Sequence, residues 1–277
     1  MCRYVHHTQN VRTCRSEVPA ERGSWEKLLE IRIRRDRRFG KMAYTINQMF
    51  HSAMFLTYVF TMYRGFLLKI PMVITEFKKF DPGQFKYLTI WNVIIQAVYF
   101  FICLLNDLFG TNAANVKKPP FIRKLKDYIH AVLSFPLSMF VGITFWSLML
   151  IDRELVFPKF LDAYFPWWLN HLMHTMIMVS TITETLIAPR TYPKRSKGLL
   201  GLLMFLLIYL VWLHIIYIKS GVWVYPVMEV LTLPLRILFF ATLLAFSTTL
   251  YIIGESLDNL VWGNEYTKHQ KSHVKSK

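Results

Sequence analysis

Charge is scarce in this sequence, and what there is leans one way. Asp, Glu, Lys and Arg make up 18% of the 277 residues, where an ordinary soluble domain carries about 25%. Acidic residues are the scarcer kind: 17 Asp+Glu stand against 33 Lys+Arg, a formal net charge of +16. Cysteine is nearly absent. The three present, Cys2, Cys14 and Cys103, form no CxxC pair, which excludes a disulfide framework and a cysteine-rich zinc site. There is no glycine-rich phosphate loop, no internal repeat and no low-complexity tract. Hydrophobic residues fill the gap at 54%, with aromatics at 16%. A chain this apolar is a poor soluble nucleic-acid binder despite its basicity, so the question becomes where the charges lie among the apolar runs.

The chain reads as an all-α, polytopic membrane protein with six transmembrane helices. A bilayer core of about 30 Å needs about 20 mostly apolar helical residues. Six stretches qualify, near 43–63, 87–109, 128–150, 166–188, 199–218 and 230–253. Residues 1–41 have no apolar core of signal-peptide type, so the first span is expected to act as an uncleaved signal anchor. The apolar run 65–74 is short and is broken by Lys69 and Pro71, which fits an interfacial or re-entrant piece rather than a span. Pro136 and Pro234 are expected to kink their helices or to sit at a broken turn.

The basic residues set the orientation. Residues 1–41, the second and fourth connections and the C-terminal tail together hold 24 of the 33 Lys and Arg. The first, third and fifth connections hold eight, and Arg236 lies inside the sixth span. The positive-inside rule places both termini in the cytoplasm. The expected organisation is a basic, disordered cytoplasmic tail over 1–41, a six-helix domain over 42–262 and a second basic tail over 263–277. Most of the +16 charge therefore reports topology.

The charges and polar groups left inside the spans carry more information, because ionisable residues there are costly. The fourth span is the least apolar and holds Asn170, His171, His174, Thr181 and Glu184. His171 and His174 share a helix face, with Asn170 one turn before His174. At 1.5 Å per residue, His174 lies roughly 9–12 Å from the outer boundary. Thr89 begins the second span from the same side, with Asn92 and Gln96 following on its face, and Arg236 enters the sixth span from that side too. A hydroxyl and a neutral imidazole at one depth permit nucleophilic catalysis, the imidazole taking the proton of the hydroxyl. Asn92, Asn170, His171, a free backbone N–H and Arg236 are candidate oxyanion or orienting groups. The plainer alternatives are a threonine bonded back to its own helix and a histidine tying two helices together. Paired histidines such as His174 and His214 also leave a haem-binding protein open. His171 and His174 lack the carboxylate that a metal site on that pair would need.

The strings KYLTIWNVIIQAVYF at 86–100, AVLSFPLSMFVGITFW at 131–146, DRELVFPKFLDAYFPWWLNHLMHT at 152–175, YPKRSKGL at 192–199, GVWVYP at 221–226, RILFF at 236–240 and GESLDNLVW at 254–262 resemble one family, the six-span androgen-induced and androgen-dependent TFPI-regulating proteins. Together they run along nearly the whole chain from about residue 50 to 262. The resemblance implies an intramembrane hydrolase of fatty acid esters of hydroxy fatty acids that uses a threonine nucleophile and a histidine. Carried onto this chain, those residues are Thr89 and His174. The implied partner is a lipid substrate reaching the site from the bilayer, with no cofactor, metal or nucleic acid. Arg236 is a candidate contact for the free carboxylate of the substrate, and equally a helix-packing donor. The competing class is a non-enzymatic membrane regulator acting through protein partners. Either class fits a multi-pass protein of the plasma membrane or endoplasmic reticulum.

Overall fold

The computed structural model describes residues 24–68, 80–113, 116 and 118–274, with side chains described over 44–263 of these. Every secondary-structure element among the described residues is helical. Six long segments carry the fold. They are α1 (Ser24–Leu67), α2 (Leu88–Phe109), α3 (Phe121–Ile151), α4 (residues 167–187), α5 (Arg195–Ser220) and α6 (Leu233–Val274). The chain up to Ala43 and the chain from Tyr44 are separate compact units, and the second holds everything that follows.

Among the described residues, four helices are long and apolar enough to cross a membrane: α2, α3, α5 and the Leu233–Gly263 part of α6. The first and fourth expected spans coincide with α1 and α4. Both are less apolar, α1 because it begins in the basic segment and α4 because of its Asn, His, Thr and Glu residues. Residues 24–41, expected to be disordered, are helical as the start of α1, and residues 1–23 lie outside the described residues. Of the expected interfacial piece 65–74, Gly65–Leu67 close α1 and residues 69–74 lie outside the described residues.

Polar groups are buried among an apolar core, and large apolar side chains also face out. His51, Asn92, Gln96, His130, Asn170 and Glu184 have no solvent exposure, while Leu150, Leu260, Ile218 and Phe109 are exposed. That arrangement is the pattern of a bundle whose surroundings are hydrocarbon. Helix α5 illustrates it. It is apolar nearly all round, yet only Gly198, Leu202, Leu206, Tyr209, Leu213, Ile216 and Ser220 are buried. Their spacing of four and three residues is a single stripe facing the bundle, and Leu200, Leu207, Ile208 and Val211 look outward.

Two helices are locally widened by a π turn. In α3 it spans His130–Ser134 and ends two residues before Pro136, whose missing N–H breaks the regular ladder. In α4 it spans Leu172–Met176 and contains His174. Pro234 sits in the first turn of α6, where a missing N–H costs nothing. Helices α3 and α4 approach closely at Gly142, where an added Cβ would lie 2.5 Å from the His174 carbonyl oxygen. Glycine at that position lets the His174 turn seat against α3.

Candidate active site

The start of α2 and the π turn of α4 meet at one end of the bundle. Thr89 is the second residue of α2, and its Oγ1 lies 3.3 Å from His174 Nε2. The opposite ring nitrogen decides the tautomer. His174 Nδ1–H donates to the Asn170 carbonyl at 3.0 Å, so Nε2 carries no hydrogen and is free to accept from the Thr89 hydroxyl. The ring of Phe145 stacks on the imidazole, with centroids 3.6 Å apart and planes 14° from parallel. The imidazole is thus fixed in position, orientation and protonation pattern. A hydroxyl facing an unprotonated imidazole is the pairing that nucleophilic acyl transfer needs, and 3.3 Å is within the looser range seen before substrate binds.

Thr89 also stands on the wall between two cavities. One, of about 770 Å³, is bordered by Asp81, Lys86, Asn170, Met173 and His174. The other, of about 130 Å³, is bounded by apolar side chains such as Phe140, Leu206, Leu210, Phe239 and Leu243. Thr89, Phe145, Val156 and Tyr225 belong to both. The mouth of the larger cavity is polar, with Lys86 Nζ 3.0 Å from Asp81 Oδ1.

The remaining expected site residues divide. Asn170 is fully buried on the larger cavity, and neither its Oδ1 nor its Nδ2 has a hydrogen-bond partner. Asn92 accepts from Gln96 Nε2 at 3.1 Å and borders neither cavity. His171 Nδ1 pairs with the Thr175 hydroxyl at 3.0 Å, and its ring packs against Trp146 and Trp167, away from both cavities. Arg236 donates from Nε to the Met228 carbonyl at 2.8 Å and lies over the Trp223 ring, again off both cavities. His214 donates to the Leu210 carbonyl on its own helix at 2.8 Å and sits edge-on to Trp223, so it and His174 are each committed elsewhere.

A second polar cluster lies at the opposite end of the bundle. His51 contacts Asp107 Oδ2 at 2.6 Å and Glu184 Oε2 at 2.9 Å. Tyr99 donates to Glu184 Oε1 at 2.9 Å, and Lys126 Nζ lies 3.7 Å from the same oxygen. His51, Cys103 and Glu184 could each offer a ligand atom to a cation, within 4.8 Å of one another. Both imidazole nitrogens already face carboxylates, however, and Lys126 supplies positive charge at Glu184, so the protein satisfies this group by itself.

Comparison with known proteins places the chain. The sequence model of the FAR-17a/AIG1-like proteins matches residues 46–259. The chain belongs to that family. It is 38% identical over 226 residues to the androgen-dependent TFPI-regulating protein of Rattus norvegicus, covering 80% of this chain and 96% of the relative. It is 35% identical over 195 residues to the androgen-induced gene 1 protein of Homo sapiens, covering 68% and 82%. No solved structure matches. Within this FAR-17a/AIG1-like chain, the positions that sequence reasoning passed over are Tyr209 and Tyr225. Their hydroxyls lie 2.9 Å apart, and both accept from the Leu88 amide beside Thr89. A tyrosine near a span boundary is an ordinary interfacial residue, so neither stood out; Tyr225 within the GVWVYP string was the only available signal.

Proposed function

We propose that this protein is an intramembrane carboxylic ester hydrolase in which Thr89 is the nucleophile and His174 the general base and acid. The observation carrying the reading is the 3.3 Å approach of Thr89 Oγ1 to His174 Nε2 beside a cavity of about 770 Å³. His174 takes the hydroxyl proton as Oγ1 attacks the ester carbonyl carbon, whose π electron pair moves onto oxygen. Collapse of the tetrahedral state re-forms the carbonyl and expels the alcohol oxygen, which receives the proton from His174. His174 then takes a proton from water, whose oxygen adds to the acyl carbonyl; collapse expels Thr89 Oγ1, which recovers the proton from His174 and frees the acid. The unpartnered Asn170 Nδ2 presents N–H donors to the oxygens of the ester.

The resemblance to the androgen-induced family makes the substrate a fatty acid ester of a hydroxy fatty acid. Such a molecule has two long chains and scarcely enters water, so a site between apolar helices, reached laterally from lipid, suits it. The reading includes six spans with both termini cytoplasmic, 42–262 as the hydrolase domain, and residence in the plasma membrane or endoplasmic reticulum. The test uses purified Thr89→Ala and His174→Ala. Both are expected to stay folded while losing ester hydrolysis and labelling by a fluorophosphonate-type probe. Wild-type turnover in either variant refutes the mechanism. The name of the rat relative describes a regulator of another protein, which supports a second reading as a non-enzymatic regulator. An inert Thr89 in the labelling experiment selects that reading.

A further inference from the structure

An attack on an ester carbonyl places negative charge on the carbonyl oxygen, and donors must wait where that charge appears. The histidine and threonine do not supply them. The first turn of a helix does have spare N–H groups, and in α2 nearly all are spoken for. Leu88 N–H donates to the Tyr209 and Tyr225 oxygens at 2.9 and 3.1 Å, and the Ile90 and Trp91 amides bond the Tyr87 carbonyl. Among the described residues the Thr89 amide has no such acceptor. It opens the positive end of a 22-residue helix, whose dipole favours an anion there.

Tyr225 is the second donor at this place. Tyr209 has one hydroxyl hydrogen and spends it on the Lys86 carbonyl at 2.9 Å, so it can only accept from Tyr225, 2.9 Å away. The Tyr225 oxygen accepts from the Leu88 amide and its hydrogen goes to Tyr209, and a hydroxyl torsion can turn that hydrogen to another acceptor. Its side chain borders both cavities that Thr89 borders. Burial pushes the Tyr225 hydroxyl above its ordinary pKa, which keeps it a neutral donor. The neighbouring Asn170, fully buried on the same cavity with both polar atoms unpartnered, is an independent sign that this space receives a polar ligand.

We infer that the Tyr225 hydroxyl and the Thr89 backbone N–H form the oxyanion site, with Tyr209 positioning Tyr225. This rests on the esterase reading. On attack, the carbonyl oxygen gains the electron pair and accepts a hydrogen bond from each donor, the Tyr225 O–H turning from Tyr209 to make its own. When the carbonyl re-forms, that hydrogen returns to Tyr209. No proton is consumed by the cycle.

The test is Tyr225→Phe in the full-length protein in lipid nanodiscs. Three quantities are measured: hydrolysis of a hydroxy-fatty-acid ester, affinity for a long-chain trifluoromethyl ketone that captures the threonine hydroxyl, and affinity for an uncleavable ether analogue of the substrate. The expected result is a kcat lower by about 10²–10³-fold, a parallel loss of ketone affinity and unchanged ether affinity. Wild-type kcat in Tyr225→Phe overturns the oxyanion role and leaves the esterase reading standing. Equal loss of ketone and ether affinity also overturns it, because Tyr225 then shapes the cavity or the fold. A wild-type protein without turnover overturns both.

Discussion

Two polar clusters occupy opposite ends of one helical bundle, and they differ in how fully the protein satisfies them. Around His51, each imidazole nitrogen meets a carboxylate, Glu184 meets Tyr99 and Lys126, and the charges of Asp107, Glu184, His51 and Lys126 balance when the imidazole is protonated. Around His174, Asn170 is buried with both side-chain polar atoms unpartnered, the Thr89 amide has no acceptor, and cavities open on both sides. A buried polar group without a partner costs about 1–3 kcal/mol. Satisfied ion pairs in an apolar bundle tie helices together, and this one joins α1, α2, α3 and α4. Unsatisfied groups beside a cavity are held ready for something else. The contrast separates the two clusters: burial and polarity mark both, whereas unused hydrogen-bonding capacity beside a cavity marks the one around His174.

The contrast predicts opposite responses to mutation. The largest effect is expected at the unsatisfied end: Thr89→Ala or His174→Ala lowers turnover by about 10³–10⁴-fold, with thermal unfolding in detergent close to wild type. Next is Glu184→Gln at the satisfied end. It leaves His51 and Lys126 short of a counter-charge, and breaking a buried pair costs about 3–5 kcal/mol. The unfolding temperature should fall clearly. Glu184 lies ten residues beyond His174 on α4, about 15 Å along the helix, so turnover per folded molecule should hold within about twofold. If the Glu184 variant keeps its stability and loses turnover, the division of labour between the clusters is wrong.

Asn170→Leu sharpens the same comparison. Leucine has nearly the branching of asparagine and brings no unsatisfied atoms, so the resting protein should gain about 1 kcal/mol or hold even. The backbone carbonyl that orients His174 is retained. Turnover should nevertheless drop by about 10-fold or more, since the ester oxygens lose the Asn170 Nδ2–H donor. Loss of stability together with unchanged turnover would move Asn170 into the structural class of His51.

Much of this was legible before any coordinates. Six long helices follow from six apolar runs of span length, and Thr89 and His174 follow from the rarity of their surroundings and from the strings that hold them. The four described helices long and apolar enough to cross a membrane are those with the plainest sequences, while α1 and α4 are diluted by the polar residues they carry inward. Other features were hidden for physical reasons. The His51–Glu184 contact joins helices that are not consecutive, 133 residues apart in sequence, and no local pattern encodes such a meeting. The π turn at Leu172–Met176 has no residue signature, yet it carries the imidazole. Tyr209 looks like any residue of an apolar helix until the Lys86 carbonyl and Leu88 amide are found at its hydroxyl.

The smallest effect is expected at Arg236, and it separates depth in the membrane from membership of a site. From sequence, Arg236 stands at the same end of the bundle as Thr89, which makes it a natural partner for a substrate carboxylate. In the fold its Nε–H donates to the Met228 carbonyl at 2.8 Å and its guanidinium lies 5.1 Å from the centre of the Trp223 ring. Those contacts brace the short Val227–Val230 helix against the start of α6. Arg236→Gln keeps a donor for the carbonyl while removing the charge, so stability should change by no more than about 1 kcal/mol. KM for a free-acid ester and for its methyl ester should move together, within about twofold. A selective rise in KM for the free acid would instead bring Arg236 into the substrate's reach, and would mean that the Val227–Val230 segment shifts when the ester binds.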